Sequence, residues 1–271
     1  MTGFSSALHV EDAGQGEPVF LLHSSGLSGR QWKRLSQELA KRQMRAVAPH
    51  LTGQGASTPW LEPEAFDFRI DVERALALVR QTGPAHVVGH SYGGLLAVQL
   101  ARAAPELVRS LSLFDPVAFG ALDPAADADV WRELSAVDFS WGPDAAGRER
   151  WLTTFVDFWG GSGAWSALRE EARGEFRRVG WVVKEGVRSL FEDRTPASAY
   201  AGFRFPVHLL TGELSPRPAH RILDRLREAI PGARITSVPK AGHLAPVTHA
   251  EAVNRVLLGV LAPSDGQGQG G

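Results

Sequence analysis

The chain has 271 residues, 44% hydrophobic and 22% charged, the balance of a globular protein built as one large domain or as a core with an insertion. A formal net charge of −1 provides no field to draw in nucleic acid or an anionic membrane. The absence of cysteine excludes disulfides, thiolate metal sites and a cysteine nucleophile. Met1–His9 shows neither the basic nor the apolar region of a signal peptide. Apolar runs such as Val19–Leu22 fall far short of the ~20 residues of a membrane helix. The expected location is the cytoplasm, with no membrane partner.

In chain order, Val19–Leu22 reads as a buried strand between Pro18 and a Gly/Ser loop. Trp32, Leu35 and Leu39 recur at helical spacing. Ala46–Ala48 is a short strand ending at Pro49. Ile70–Val79 is helical, with Val72, Ala75, Leu76 and Val79 on one face. His86–Gly89 is a strand, Leu95–Ala104 a helix, and Ser110–Phe114 a strand stopped by Asp115-Pro116. After a long interval come strand Val207–Leu210, helix Ala219–Ile230, strand Arg234–Val238 and helix Glu251–Leu261. Strands alternating with helices predict a mostly parallel sheet covered on both faces, with its ligand site at the carboxyl ends of the strands. The alternation breaks over 119–201, a stretch with helical spacings and no convincing strand. It holds six of the eight tryptophans and reads as a helical cap over a core of 1–118 and 202–271. The Gly/Gln-rich tail 263–271 has nothing to bury and is expected to lack structure.

Gly89-His-Ser-Tyr-Gly93 matches G-x-S-x-G between a strand and a helix, the setting of a nucleophile elbow. There the serine occupies a strained turn that exposes its hydroxyl, and the glycines leave room for it. Ser91 is the candidate nucleophile. A free hydroxyl is a poor nucleophile and needs a base. His243, between the last strand and the last helix, lies at the same edge of the sheet. An oxyanion needs fixed N–H donors. Tyr92 is expected to supply one and Ser25, in the loop His23–Gly29, the other, with Ser24 as the alternative. His86 and His90 straddle a strand and a turn, so their spacing of four does not make a metal pair. No metal and no cofactor are expected.

These motifs together resemble the α/β-hydrolase superfamily, in its capped single-domain branch. The matching segments are His23–Gly26, Ala48–Ser57, Gly89–Gly94, Leu113–Pro116, Leu209–Glu213 and Gly242-His243. The resemblance implies the α/β-hydrolase fold, triad chemistry and a cap between the family's sixth and seventh strands. The chain departs from the family pattern in three places. His23-Ser24 replaces His-Gly. Pro49-His50 replaces Pro-Asp, where His50 could serve as a structural substitute or a substrate contact. Ser215 stands where the family commonly places the triad aspartate. Some members carry the acid after the sixth strand instead, the position of Asp115. Asp115 is therefore the expected acid and Glu213 the alternative.

The expected activity is cofactor-free hydrolysis of a small to medium apolar ester, lactone or thioester through an acyl-Ser91 intermediate. C–C bond hydrolysis, perhydrolysis and acyl transfer use related chemistry. A hydrolase-like receptor for a small ligand is the reading from a different class. Phe155, Trp159 and Ser24 are candidate pocket residues. The sequence leaves the oligomeric state open.

Overall fold

A computed structural model describes residues 8–262. The tail 263–271 lies outside the described residues. The strands are β1 (Val10–Ala13), β2 (Glu17–Leu22), β3 (Met44–Pro49), β4 (Ala85–His90), β5 (Val108–Phe114), β6 (Val207–Gly212) and β7 (Arg234–Val238). They form one sheet in the order β1-β3-β2-β4-β5-β6-β7. β1 is antiparallel to β3, and every other neighbouring pair is parallel.

Residues on β2 alternate between the two faces of the sheet, and both faces are buried. Val19 and Leu21 pack with Trp32, Leu35 and Leu39 of the segment around α1 (Lys33–Lys41), while Phe20 and Leu22 join the core on the other face. Burial on both sides is why these strands read as continuous apolar runs rather than as an alternation. α2 (Phe68–Thr82) and α3 (Tyr92–Ala103) cover one face. α2 begins at Asp67, whose carboxylate accepts from the Arg69 N–H at 2.8 Å, an N-cap that satisfies one of the donors a helix start leaves free.

β1 is absent from the sequence reading. Its Val-Glu-Asp-Ala sequence is short and half charged, as suits an edge strand that must not recruit further strands.

Between Phe114 and Val207 the chain contributes helices and no strand: α4 (Ala128–Ser135), α5 (Ala145–Gly160), α6 (Ala164–Ala167) and α7 (Glu170–Glu192). This segment follows the fifth described strand, where the resemblance counts the sixth. Its apolar side chains are continuous with the sheet core. Trp151, Leu152 and Trp159 of α5 and Val183 and Val187 of α7 belong to the same buried cluster as Leu95, Leu111 and Leu113. Asp127, 1% exposed, ties the segment to α8 (Arg217–Ala229) through Arg221 and Arg225. The chain then passes through α9 (Ala245–Thr248) to α10 (Ala250–Leu261) on the opposite face. Among the described residues no helix is long and apolar enough to cross a membrane.

Candidate active site

The register places His90 beside Phe114, and Leu113 beside Leu209, so the turns that follow β4, β5 and β6 open at one edge of the sheet. Ser91 occupies the turn out of β4 with φ 55° and ψ −115°, a left-handed conformation that is strained for a residue with a Cβ. α3 starts at the next residue, three positions earlier than its apolar periodicity suggests. The turn closes only because its glycines have no side chains. A Cβ on Gly89 would lie 2.3 Å from the Gly93 carbonyl oxygen, and one on Gly93 would lie 2.3 Å from that of Leu22.

His243 Nε2 lies 2.9 Å from Ser91 Oγ, and His243 Nδ1 lies 3.3 Å from Asp115 Oδ2. All three side chains are buried. Asp115 follows β5 in a positive-φ conformation, with φ 42°, and its N–H donates to the Leu210 carbonyl of β6. Ser215 stands beside it. Its hydroxyl donates to Asp115 Oδ2 at 2.5 Å and accepts from the Gly212 N–H. The residue at the family's acid position is thus a hydrogen-bond donor to a carboxylate that arrives from the neighbouring strand. Glu213 is turned away. It is exposed, and its carboxylate accepts from the Lys240 N–H at 2.7 Å. This corrects its place as alternative acid, because the side chain caps a surface turn and does not reach His243.

The loop after β2 is tied down on either side of Ser25. The Ser24 N–H donates to Gln31 Oε1 at 3.0 Å, and the Gly26 N–H to Gln54 Oε1 at 2.7 Å. Among the described residues the Ser25 N–H has no acceptor. The Ser24 carbonyl belongs to the same peptide unit, and it accepts from His23 Nδ1 at 2.8 Å. His23 Nε2 accepts in turn from the Leu51 N–H. Burial pushes the His23 pKa down to about 3, so the ring stays neutral and holds that peptide plane. The Tyr92 N–H is one of those a helix start leaves without an intrahelical acceptor. The Tyr92 hydroxyl donates to Asp71 at 2.9 Å, and burial raises the Asp71 carboxyl above its usual range.

Ser91 and Ser25 share a cavity with Phe119, Phe155, Trp159 and Phe191. Its volume is about 10 Å³, room for roughly one water molecule. The Trp159 ring lies 4.5 Å from that of His243. Ser24 is not among the residues that line the cavity, and its N–H is already given to Gln31 Oε1, which corrects its place as alternative oxyanion donor. On the far side of Phe191 a cleft of about 840 Å³ opens, walled by Trp131, Leu122, Arg194 and Arg225.

His50 lies elsewhere, buried in the loop after β3. Its Nδ1 accepts from the Ala56 N–H at 2.7 Å, and its carbonyl accepts from Ser57 Oγ. It supplies one acceptor where an aspartate could supply more. His9, Glu11 and His50 bring three potential metal ligands together. The Ala56 bond, however, fixes the proton of neutral His50 on Nε2, the atom that faces Glu11 at 3.3 Å. That leaves no lone pair there for an ion. His249 stands just before α10, its exposed ring 2.9 Å from the Thr248 hydroxyl.

His23, Gln31, Gln54 and Ser215 do not figure as site residues in the sequence reading. Ser215 left a signal there by standing in the acid's usual position, and so did His23, at the departure from His-Gly.

Comparison with known proteins identifies the family of the chain. Residues 19–256 match the Alpha/beta hydrolase family. Lipase LipV of Mycobacterium tuberculosis is 40% identical over 111 residues, which are 40% of this chain and 41% of the lipase. The pimeloyl-[acyl-carrier protein] methyl ester esterase of Methylococcus capsulatus is 27% identical over 95% of this chain and 99% of its own. The structure of 2-hydroxy-6-oxo-6-phenylhexa-2,4-dienoate hydrolase from a Rhodococcus strain superposes with a TM-score of 0.71 at 21% identity. That superposition covers 94% of each chain.

Proposed function

The chain belongs to the alpha/beta hydrolase family, and from that premise we propose that it is a serine hydrolase acting on small to medium apolar esters, lactones or thioesters. The observation that carries the reading is a single line of contacts. Ser91 Oγ, on its strained turn, lies 2.9 Å from His243 Nε2, and the other ring nitrogen lies 3.3 Å from buried Asp115.

In the proposed mechanism Ser91 Oγ attacks the acyl carbon as its proton passes to His243 Nε2. Asp115 stabilises the imidazolium, and the N–H groups of Tyr92 and Ser25 receive the oxyanion. Collapse breaks the bond to the leaving group, which takes the proton from His243. A water molecule then gives a proton to His243 and attacks the acyl-serine, and collapse breaks the bond to Ser91 Oγ, which takes that proton back from His243 as the acid leaves. Atoms and protons balance among substrate, water and these side chains, so the reaction needs no cofactor.

The cavity against Ser91 is apolar but too small for such a substrate, so turnover requires Phe191 and the cap around it to give way toward the larger cleft. The esterase and lipase relatives support the carboxylic ester class. The test is labelling by a fluorophosphonate probe, combined with hydrolysis of a panel of p-nitrophenyl esters and lactones. Wild-type protein is expected to label and turn over, and Ser91→Ala to do neither. Folded wild-type protein that fails to label would favour the receptor reading.

A further inference from the structure

Two polar side chains, His90 buried and Gln31 half-buried, lie between the halves of the site. Gln31 sits in the short turn Gly29–Trp32 ahead of α1. Its Oε1 accepts from the Ser24 N–H at 3.0 Å, and its Nε2 lies 3.1 Å from His90 Nδ1. His90 Nε2 lies 2.8 Å from the carbonyl oxygen of His243.

The two ends of this chain fix every proton along it. A backbone N–H can only donate, so the Gln31 oxygen faces Ser24 and its NH₂ faces His90. A carbonyl can only accept, so His90 carries its proton on Nε2 and offers the Nδ1 lone pair to Gln31. The titratable groups around His90 are His243 and His23. Burial and the neighbouring His243 hold His90 well below the usual histidine range, which keeps the ring neutral.

We infer that Gln31 is a positioning residue that, through His90, couples the loop presenting the Ser25 N–H to the loop carrying His243. The inference rests on the serine hydrolase reading. The two loops come from β2 and β7, far apart in sequence, with the Ser91 turn between them. Directional bonds joining them set the distance between the donor for the oxyanion and the base. Small misplacements of reacting groups reduce turnover by about 100-fold.

The experiment measures turnover of p-nitrophenyl butyrate per fluorophosphonate-labelled site in wild type, Gln31→Leu and Gln31→Glu. Gln31→Leu removes both bonds and is expected to lower kcat by up to about 100-fold, with KM near the wild-type value. Gln31→Glu keeps the acceptor but, ionised, has no proton for His90. Its activity relative to wild type is expected to rise as pH falls into the range where the carboxylic acid form donates as the amide does.

Unchanged kcat in both variants, or a loss in Gln31→Glu that does not vary with pH, overturns the inference while leaving the hydrolase reading intact. If Gln31→Leu does not fold, Gln31→Glu decides. If neither folds, the ring ¹⁵N shifts of His90 in wild type decide, where a proton on Nδ1 overturns the inference. Wild-type protein that neither labels nor turns over ester refutes both readings together.

Discussion

Asp115→Asn removes one negative charge from a fully buried site, 3.3 Å from His243 Nδ1. At an effective dielectric constant of about 20, a charge pair at that distance is worth about 5 kcal/mol. The imidazolium exists only after Ser91 has given up its proton, so the loss falls on the transition state. At about 1.4 kcal/mol per decade, turnover should fall by roughly 10³ to 10⁴-fold. The amide also offers an NH₂ to His243 Nδ1, which favours the tautomer with the proton toward Ser91 and adds to the loss. The assay is steady-state hydrolysis of p-nitrophenyl acetate, with active sites counted by fluorophosphonate labelling. Ser215 Oγ lies 2.5 Å from the oxygen that faces His243. Adding Ser215→Asp in the Asp115→Asn background should therefore return part of the activity by placing a carboxylate at the family's usual position. An Asp115→Asn enzyme with near-wild-type kcat, or a Glu213→Gln enzyme with the large loss instead, would refute the assignment.

Phe191→Ala joins the Ser91 cavity to the larger cleft, and kcat/KM for longer acyl chains should rise relative to acetate in a chain-length series. His23→Gln preserves one donor and one acceptor but no longer titrates. The folded-state pKa of His23 is depressed, so its contribution to stability is present above about 6.5 and declines as pH falls toward about 3. Denaturant melts should show that decline in wild type and a shallower one in the variant. Asp127 has its pKa raised by burial and lowered, on balance to about 2, by the hydrogen bonds from Arg225 and Arg221. With the folded pKa below the ordinary 3.8, its contribution is present above that value and lost as pH falls through about 2. Asp127→Asn should lower stability at pH 7 by about 1.5–3 kcal/mol, and its denaturant midpoint should converge with wild type near pH 2.

Residues close together in sequence carried much of the outcome. The apolar runs from Val19 to Val238 and the helices between them are local patterns, and they sufficed to expect a parallel sheet with its site at the strand ends. Ser91 was legible because its flanking glycines are required by a turn that spans only a few residues. His243 followed from its place after the last long strand. The short charged strand Val10–Ala13 was not legible, because its pairing with β3 depends on main-chain hydrogen bonds that leave little trace in side-chain pattern. The sequence favoured Asp115 over Glu213 only through the family resemblance, and it left the part played by Ser215 unexplained. Those questions turn on which way side chains point from adjacent strands, and the β5–β6 register decides that: it sets Ser215 against Asp115 and sends Glu213 to the surface. The Gln31–His90 link depends likewise on residues 59 positions apart that only the folded sheet brings together. The sequence determined which chemistry stands at the strand ends. The tertiary structure decided which groups meet there, because hydrogen bonds act over about 3 Å and depend on direction, and neither condition is written in the spacing of residues along the chain.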